Sequence, residues 1–234
     1  MSAIRLLLLF IWTLSLMSLA PLMILVTFNR QAPLHVARTL FSKGLLWIAG
    51  AKLSVSGVEN IPKDKPVIYV ANHCSHLDIG VLCRVAPVNL HFIGKKELAW
   101  IPIVGWYMFI TGHIFIDRSN RRKAVTSLKS AALKIKSGKN VIMFPEGTRS
   151  KNGKLASFKS GAFHLAIDAG VNIIPIHVEG THEIWPATSN KITPGNVIVK
   201  VGSPIDTSLY TNKTVKELMA ITHSAVEELG QSHS

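Results

Sequence analysis

Hydrophobic and polar positions follow three different rhythms along this chain of 234 residues. From Leu6 to Phe28 it runs 23 residues without a charge, between Arg5 and Arg30, and about 20 apolar residues suffice to cross a bilayer. Pro21 falls inside that run. An interior proline removes a backbone donor and clashes with the turn before it, so the run admits a kinked or re-entrant helix as well as a straight span. A secretory signal is the competing reading, but the run lacks a good small-residue cleavage pattern. Next, PLHVARTLFSKGLLWIAG spaces Val36, Leu40, Phe41, Leu45 and Ile48 as a helix would, with Arg38 and Lys43 between them. That pattern suits a helix lying in the membrane interface.

After residue 50 the rhythm changes to short β-branched runs. Residues 66–71 (PVIYVA), 89–94 (NLHFIG), 113–117 (HIFID), 140–144 (NVIMF), 172–178 (VNIIPIHV from 171) and 196–201 (NVIVKV) read as strands. Helical spacing fills several gaps. Residues 119–137 repeat Val125, Leu128, Ala132 and Ile135 with lysines on the other faces and a stop at Gly138, and a second helix over 157–169 ends at Gly170. Strands alternating with helices predict an α/β sandwich with a largely parallel central sheet. In such a fold the loops leaving the carboxyl ends of the strands carry the site. The expected organisation is an apolar, membrane-associating helical segment over 1–50 and a catalytic domain over 51–234.

Charge then narrows the partners. The net charge is +13, and residues 84–159 hold 15 Lys or Arg against three acids. Such a patch attracts phosphates. Nucleic acid is excluded as the expected partner because no helix-turn-helix, zinc-finger or RNP-type pattern accompanies it. Mean hydropathy of +0.31 with 17% charged residues instead suggests a bilayer. Arg30, Arg38 and Lys43 follow the apolar run while only Arg5 precedes it, so the positive-inside tendency predicts that the remainder of the chain stays on the cytoplasmic side. The two cysteines, Cys74 and Cys83, are too few for a disulfide framework and fit a reduced compartment.

The chemistry concentrates in NHCSHLD, residues 72–78, just beyond the run PVIYVA. His73 stands where strand gives way to loop, and Asp78 opens the apolar helical stretch DIGVLCRVA. Two readings stand side by side. Asp78 can simply favour a helix N-terminus while His73 bonds to backbone, or the carboxylate can reach back, hold one imidazole tautomer and make His73 a general base. Other chemistries lack their signatures. Cys74 has no thiolate-stabilising context, Ser75 has no G-x-S-x-G elbow, and His73 with His76 would need a distant third zinc ligand. No metal or cofactor is expected.

Three further stretches put phosphate-binding residue types after predicted strands. FPEGTRS, 144–150, supplies Glu146, Gly147, Thr148 and Arg149; GKKEL, 94–98, supplies Lys95 and Lys96; IFIDR, 114–118, supplies Arg118. Glycine permits close backbone approach and arginine can fork onto a phosphate. Singly, each is equally readable as a solvated side chain or a surface ion pair.

Taken together, NHCSHLD, GKKEL with GHIFIDR, FPEGTRS and VNIIPIHV resemble the four motifs of the glycerolipid acyltransferases, in order and spacing, over roughly residues 66–178. Within that family the pattern is most similar to the bacterial 1-acyl-sn-glycerol-3-phosphate acyltransferase type. The resemblance implies an acyltransferase-type α/β domain with a membrane-associating N-terminal segment. It implies transfer of a fatty acyl group from an acyl thioester, acyl-CoA or acyl carrier protein, onto the sn-2 hydroxyl of lysophosphatidic acid in phospholipid biosynthesis. By it, His73 is the base and Asp78 its orienting partner. Glu146, Gly147, Thr148, Arg149 and Arg118 hold the glycerol phosphate, and Lys95 or Lys96 steadies the thioester oxyanion. Readings still standing are an acyltransferase for another lysolipid such as lyso-ornithine lipid, one for glycerol 3-phosphate, a thioesterase, and a non-catalytic lipid-binding module.

Overall fold

The computed structural model describes residues 1–87, 89–117 and 119–232. Seven strands form one sheet: β1 (Ala51–Ser56), β2 (Ile68–Ala71), β3 (Leu90–Lys95), β4 (Ile114–Ile116), β5 (Asn140–Met143), β6 (Ile173–Glu179) and β7 (Gly195–Val201). Their spatial order is β1-β7-β6-β2-β5-β3-β4. Five strands, β6, β2, β5, β3 and β4, run parallel; β7 turns back antiparallel to β6, and β1 follows β7 in parallel.

The helices are α1 (Ser2–Ser18), α2 (Ala20–Thr27), α3 (Ala32–Val36), α4 (Ser42–Ala49), α5 (Asp78–Val85), α6 (Val104–Ile110), α7 (Arg121–Lys136), α8 (Gly161–Ala169), α9 (Thr181–Ile184) and α10 (Val215–Gln231). They cover both faces of the sheet. Tyr69 and Ala71 of β2 join a core with α4 and α5, while Ile68 and Val70 join one with α7, α8 and α10. Successive side chains of a strand point to opposite faces, so a strand covered on both sides has no polar positions to alternate. IYVA is accordingly buried throughout. β1 lies at the sheet edge, largely exposed after Ala51, and its polar alternation AKLSVS gave no strong strand signal.

The helix after the N-terminal run departs from the sequence expectation, while the run itself is broken, as its proline admits. Its break comes at Leu19, and Pro21 sits in the first turn of α2, where a missing N–H costs nothing because that donor has no helical partner. The expected helix over 33–50 is present but underwound into π geometry at Ala37–Phe41. It does not lie free at an interface: Leu45, Leu46 and Ala49 are buried in the same core as β2 and α5. α1 packs on α4, where Gly44 leaves room for the Trp12 ring and Trp12 Nε1 donates to the Phe41 carbonyl at 3.2 Å. Across Ser2–Thr27 the outward side chains remain bare, and that stretch is long and apolar enough to cross a membrane.

Candidate active site

The carboxyl ends of the parallel strands lie along one edge of the sheet, and the motif loops converge there. β2 delivers Asn72 to Leu77, β5 delivers Phe144 to Ser150, β3 delivers Lys95 and β6 delivers Thr181. Long-range hydrogen bonds clamp these loops together. The Asn72 side chain pairs with the main chain of Val178 in both directions, at 2.8 and 2.7 Å. Ser150 N donates to the His73 carbonyl at 2.7 Å.

Asp78 is buried at the start of α5, and four donors satisfy it. Oδ2 accepts from His73 Nδ1 at 2.7 Å, Cys74 N at 2.8 Å and Ser75 N at 2.9 Å. Oδ1 accepts from the Thr181 hydroxyl at 2.7 Å. A carboxylate can only accept, so Nδ1 of the facing imidazole carries a proton, the tautomer that in a neutral ring leaves Nε2 as the acceptor. The ring lies flat on Phe144, centroids 3.9 Å apart and 16° from parallel. Asp78 thus opens α5 while its carboxylate holds the loop before the helix and the His73 ring.

Two cavities meet at this imidazole. One, of about 410 Å³, is apolar; Met17, Leu34, Phe41, Cys83 and Tyr107 line it together with His73. The other, of about 420 Å³, is polar and cationic, with Lys95, Gly147, Thr148 and Arg149 beside His73 and His76. Lys95 faces this second cavity, whereas Lys96 turns away to an exposed ion pair with Asp117 at 3.2 Å. That distinction was open in the sequence. Hydrogen bonds from Ser119, with help from Lys96, hold the Asp117 carboxyl down to about 2. Arg118 lies outside the described residues.

Arg149 Nη1 donates to the His76 ring, 2.6 Å from Nε2, and that ring stacks on Trp185 with centroids 4.7 Å apart. A guanidinium needs a lone pair to donate to, so His76 is neutral here. Burial, then Arg149 itself, keep the His76 pKa below the ordinary imidazole value. Gly147 has φ +78°, and a Cβ there would sit 2.8 Å from Lys159 Nζ. The left-handed φ is what favours glycine here, since the lysine end can move aside.

Glu146 is placed differently from the other members of its motif. It is 4% exposed; Oε1 accepts the His73 amide at 2.7 Å and Oε2 the Ala156 amide at 3.1 Å. Both oxygens are occupied by backbone, so the side chain braces the His73 loop, and burial raises its pKa. The competing nucleophiles are inert. Burial, reinforced by Asp78, pushes the Cys74 thiol up to about 12. The Ser75 hydroxyl is committed to the Trp185 carbonyl at 2.6 Å. Among the described residues no cluster of His, Cys, Asp and Glu could hold a metal ion.

Three contributors escaped sequence reasoning: Asn72, Thr181 and Lys159. Asn72 lay within the quoted motif, but its partner is 106 positions away, and Thr181 meets Asp78 across 103 positions. Lys159 fell inside the expected 157–169 helix, whereas α8 begins only at Gly161.

The Acyltransferase family model matches residues 52–179, which include the site just described except Thr181, Trp185 and the N-terminal wall of the apolar cavity. A protein described as a 1-acyl-sn-glycerol-3-phosphate acyltransferase from Haemophilus influenzae is 39% identical over 173 residues, 72% of this chain and 71% of that one. One so described from Chlamydomonas reinhardtii is 36% identical over 239 residues, 97% of this chain and 69% of that one. The crystal structure of the 1-acyl-sn-glycerophosphate (LPA) acyltransferase PlsC from Thermotoga maritima matches with a TM-score of 0.81 at 33% identity, covering 100% of both chains. With a matched stretch exceeding half the sequence and a shared architecture from end to end, this chain belongs to the acyltransferase family.

Proposed function

We propose that the chain transfers a fatty acyl group from an acyl thioester to the sn-2 hydroxyl of lysophosphatidic acid, giving phosphatidic acid. The observation that carries this reading is the position of the His73–Asp78 pair between an apolar cavity and a cationic one. An acyl chain needs the first environment and a phosphate the second. The names of the relatives from Haemophilus influenzae and Chlamydomonas reinhardtii support the same acceptor.

In this mechanism Nε2 of His73 takes the proton of the acceptor hydroxyl as its oxygen attacks the thioester carbonyl. The imidazolium that forms is stabilised by Asp78, itself fixed by Thr181 and two amides. Lys95 is the cation placed to steady the oxyanion of the tetrahedral intermediate. Collapse breaks the carbon–sulfur bond, and the departing thiolate recovers the proton from His73. No covalent acyl-enzyme forms. Arg149 with the backbone of Gly147 and Thr148 holds the headgroup phosphate, whose binding energy aligns the reacting hydroxyl. Glu146 serves by fixing the His73 backbone.

The donor is acyl-CoA or acyl carrier protein, and the bare apolar stretch Ser2–Thr27 holds the protein at the cytoplasmic face of the inner membrane. The test is incubation of purified enzyme with labelled lysophosphatidic acid and each donor, followed by product identification. Phosphatidic acid should form with the parent and fall by roughly three powers of ten in His73→Ala, within the range of positioned proton transfer. Equal rates in parent and variant would defeat the mechanism, and acylation of phosphate-free lysolipids alone would defeat the acceptor.

A further inference from the structure

We propose that the outward face of residues 96–110 is a second membrane contact, in which Trp100, Ile101, Trp106 and Phe109 enter the interface of a phospholipid bilayer beside α1 and α2. These side chains are 82%, 44%, 67% and 76% exposed. One large aromatic presents about 150–250 Å², so at these exposures the group reaches the upper part of the range of a monomer's largest apolar patch, about 300–600 Å², a size that often marks an interaction site. Indole rings are the side chains most enriched at membrane–water boundaries.

Nothing within the chain requires this face to be apolar. The segment is held from its other side, where Leu98, Val104, Tyr107 and Met108 line the apolar cavity and pack on Met17 and Ala20. Turn and helix are locked as one body at Gly105, where a Cβ would come within 2.3 Å of the Ala99 carbonyl oxygen. The outward residues are therefore free of any fold-holding role that would explain them.

A bilayer is favoured as occupant by continuity. The packing of Tyr107 and Met108 against Ala20 and Met17 places the patch beside α1 and α2, whose own outward residues Leu7, Phe10, Leu22 and Leu25 are bare. A lipid surface covers both without needing a matching shape. Because the inner side of the same body walls the apolar cavity, insertion would set that cavity against the hydrocarbon. The inference rests on the membrane location proposed above, but its test involves no turnover, so it fails or stands independently of acyl transfer.

The experiment uses the full chain with vesicles of phosphatidylethanolamine and phosphatidylglycerol, with and without brominated acyl chains, and reads tryptophan emission. Bromines should quench the parent, and Trp100→Phe with Trp106→Phe should remove at least about a third of the quenching, two of five tryptophans being replaced. Trp106→Asp with Phe109→Asp should weaken vesicle partitioning at least about tenfold while circular dichroism and melting temperature stay at parental values. Unchanged quenching in the Phe variant overturns the proposal even if the Asp variant misfolds. So does a vesicle-free dimer that the Asp variant dissociates while partitioning persists, since the patch would then bind a second copy of this chain.

Discussion

The two cavities that share His73 are built on opposite principles. The cationic one is made by loops at strand ends, and side-chain-to-backbone bonds from Asn72, Asp78, Ser75 and Glu146 lock its base. The apolar one is made by side chains from the first 41 residues, α5, α6 and the sheet, held mainly by packing. Directional bonds fix positions; packing fixes only volume. Damage to the first should therefore appear in rate, and damage to the second in which acyl chain is accepted.

The sharpest break is Asp78→Asn. The amide can keep the Thr181 contact but presents an NH₂ or a weaker acceptor to His73, disturbing the tautomer. Transfer should fall by about two to three powers of ten, read with lysophosphatidic acid and a saturating thioester. Next comes Arg149→Ala, which removes a charge-assisted bond to phosphate worth about 1.5–3 kcal/mol. kcat/KM for lysophosphatidic acid should drop roughly 10- to 150-fold, with the donor KM unmoved. An equal loss for a phosphate-free acceptor would erase the contrast between the cavities.

pH offers a mid-sized test. Behind the apolar cavity, His91 and His113 are forced neutral: burial, then Lys139, depresses His91 to about 4, and burial, then His91 and Lys139, depresses His113 to about 3. A histidine whose folded pKa lies below the unfolded value of 6.5 stabilises the fold above 6.5, and that stability is lost as pH falls toward the folded value. Each should cost roughly 1 kcal/mol between pH 6.5 and 5.5, followed by urea melts; His113→Asn should flatten the loss. The smallest effect expected is Thr181→Val, which removes one bond to Asp78. A fivefold to tenfold fall in kcat, about 1 kcal/mol, should be restored by Thr181→Ser. The accompanying change in the pH–rate profile separates orientation of the dyad from bulk stability.

How much of this was legible in the sequence depends on the range of the forces involved. Strands covered on both faces, such as IYVA and NVIM, announce themselves because burial demands unbroken hydrophobicity. Edge strand β1 does not, since half its groups meet water. The reversal of β7 was hidden for a related reason: the connection after β6 contains only the four-residue α9, too short to carry the chain across a sheet face. Within the site, His73 and Asp78 are five positions apart, so a local turn sufficed to suggest their meeting. Thr181 and Asn72 act across more than 100 positions, and the residue types alone do not specify such partners. Glu146 shows a further limit: its presence was legible, but the direction of its oxygens toward two amides was not.

The flat stacking of His73 on Phe144 has a consequence for turnover. A ring pinned on one side by an aromatic and on its edge by a carboxylate keeps one orientation. In the mechanism proposed above, the alcohol and the departing sulfur must then meet it at the same nitrogen.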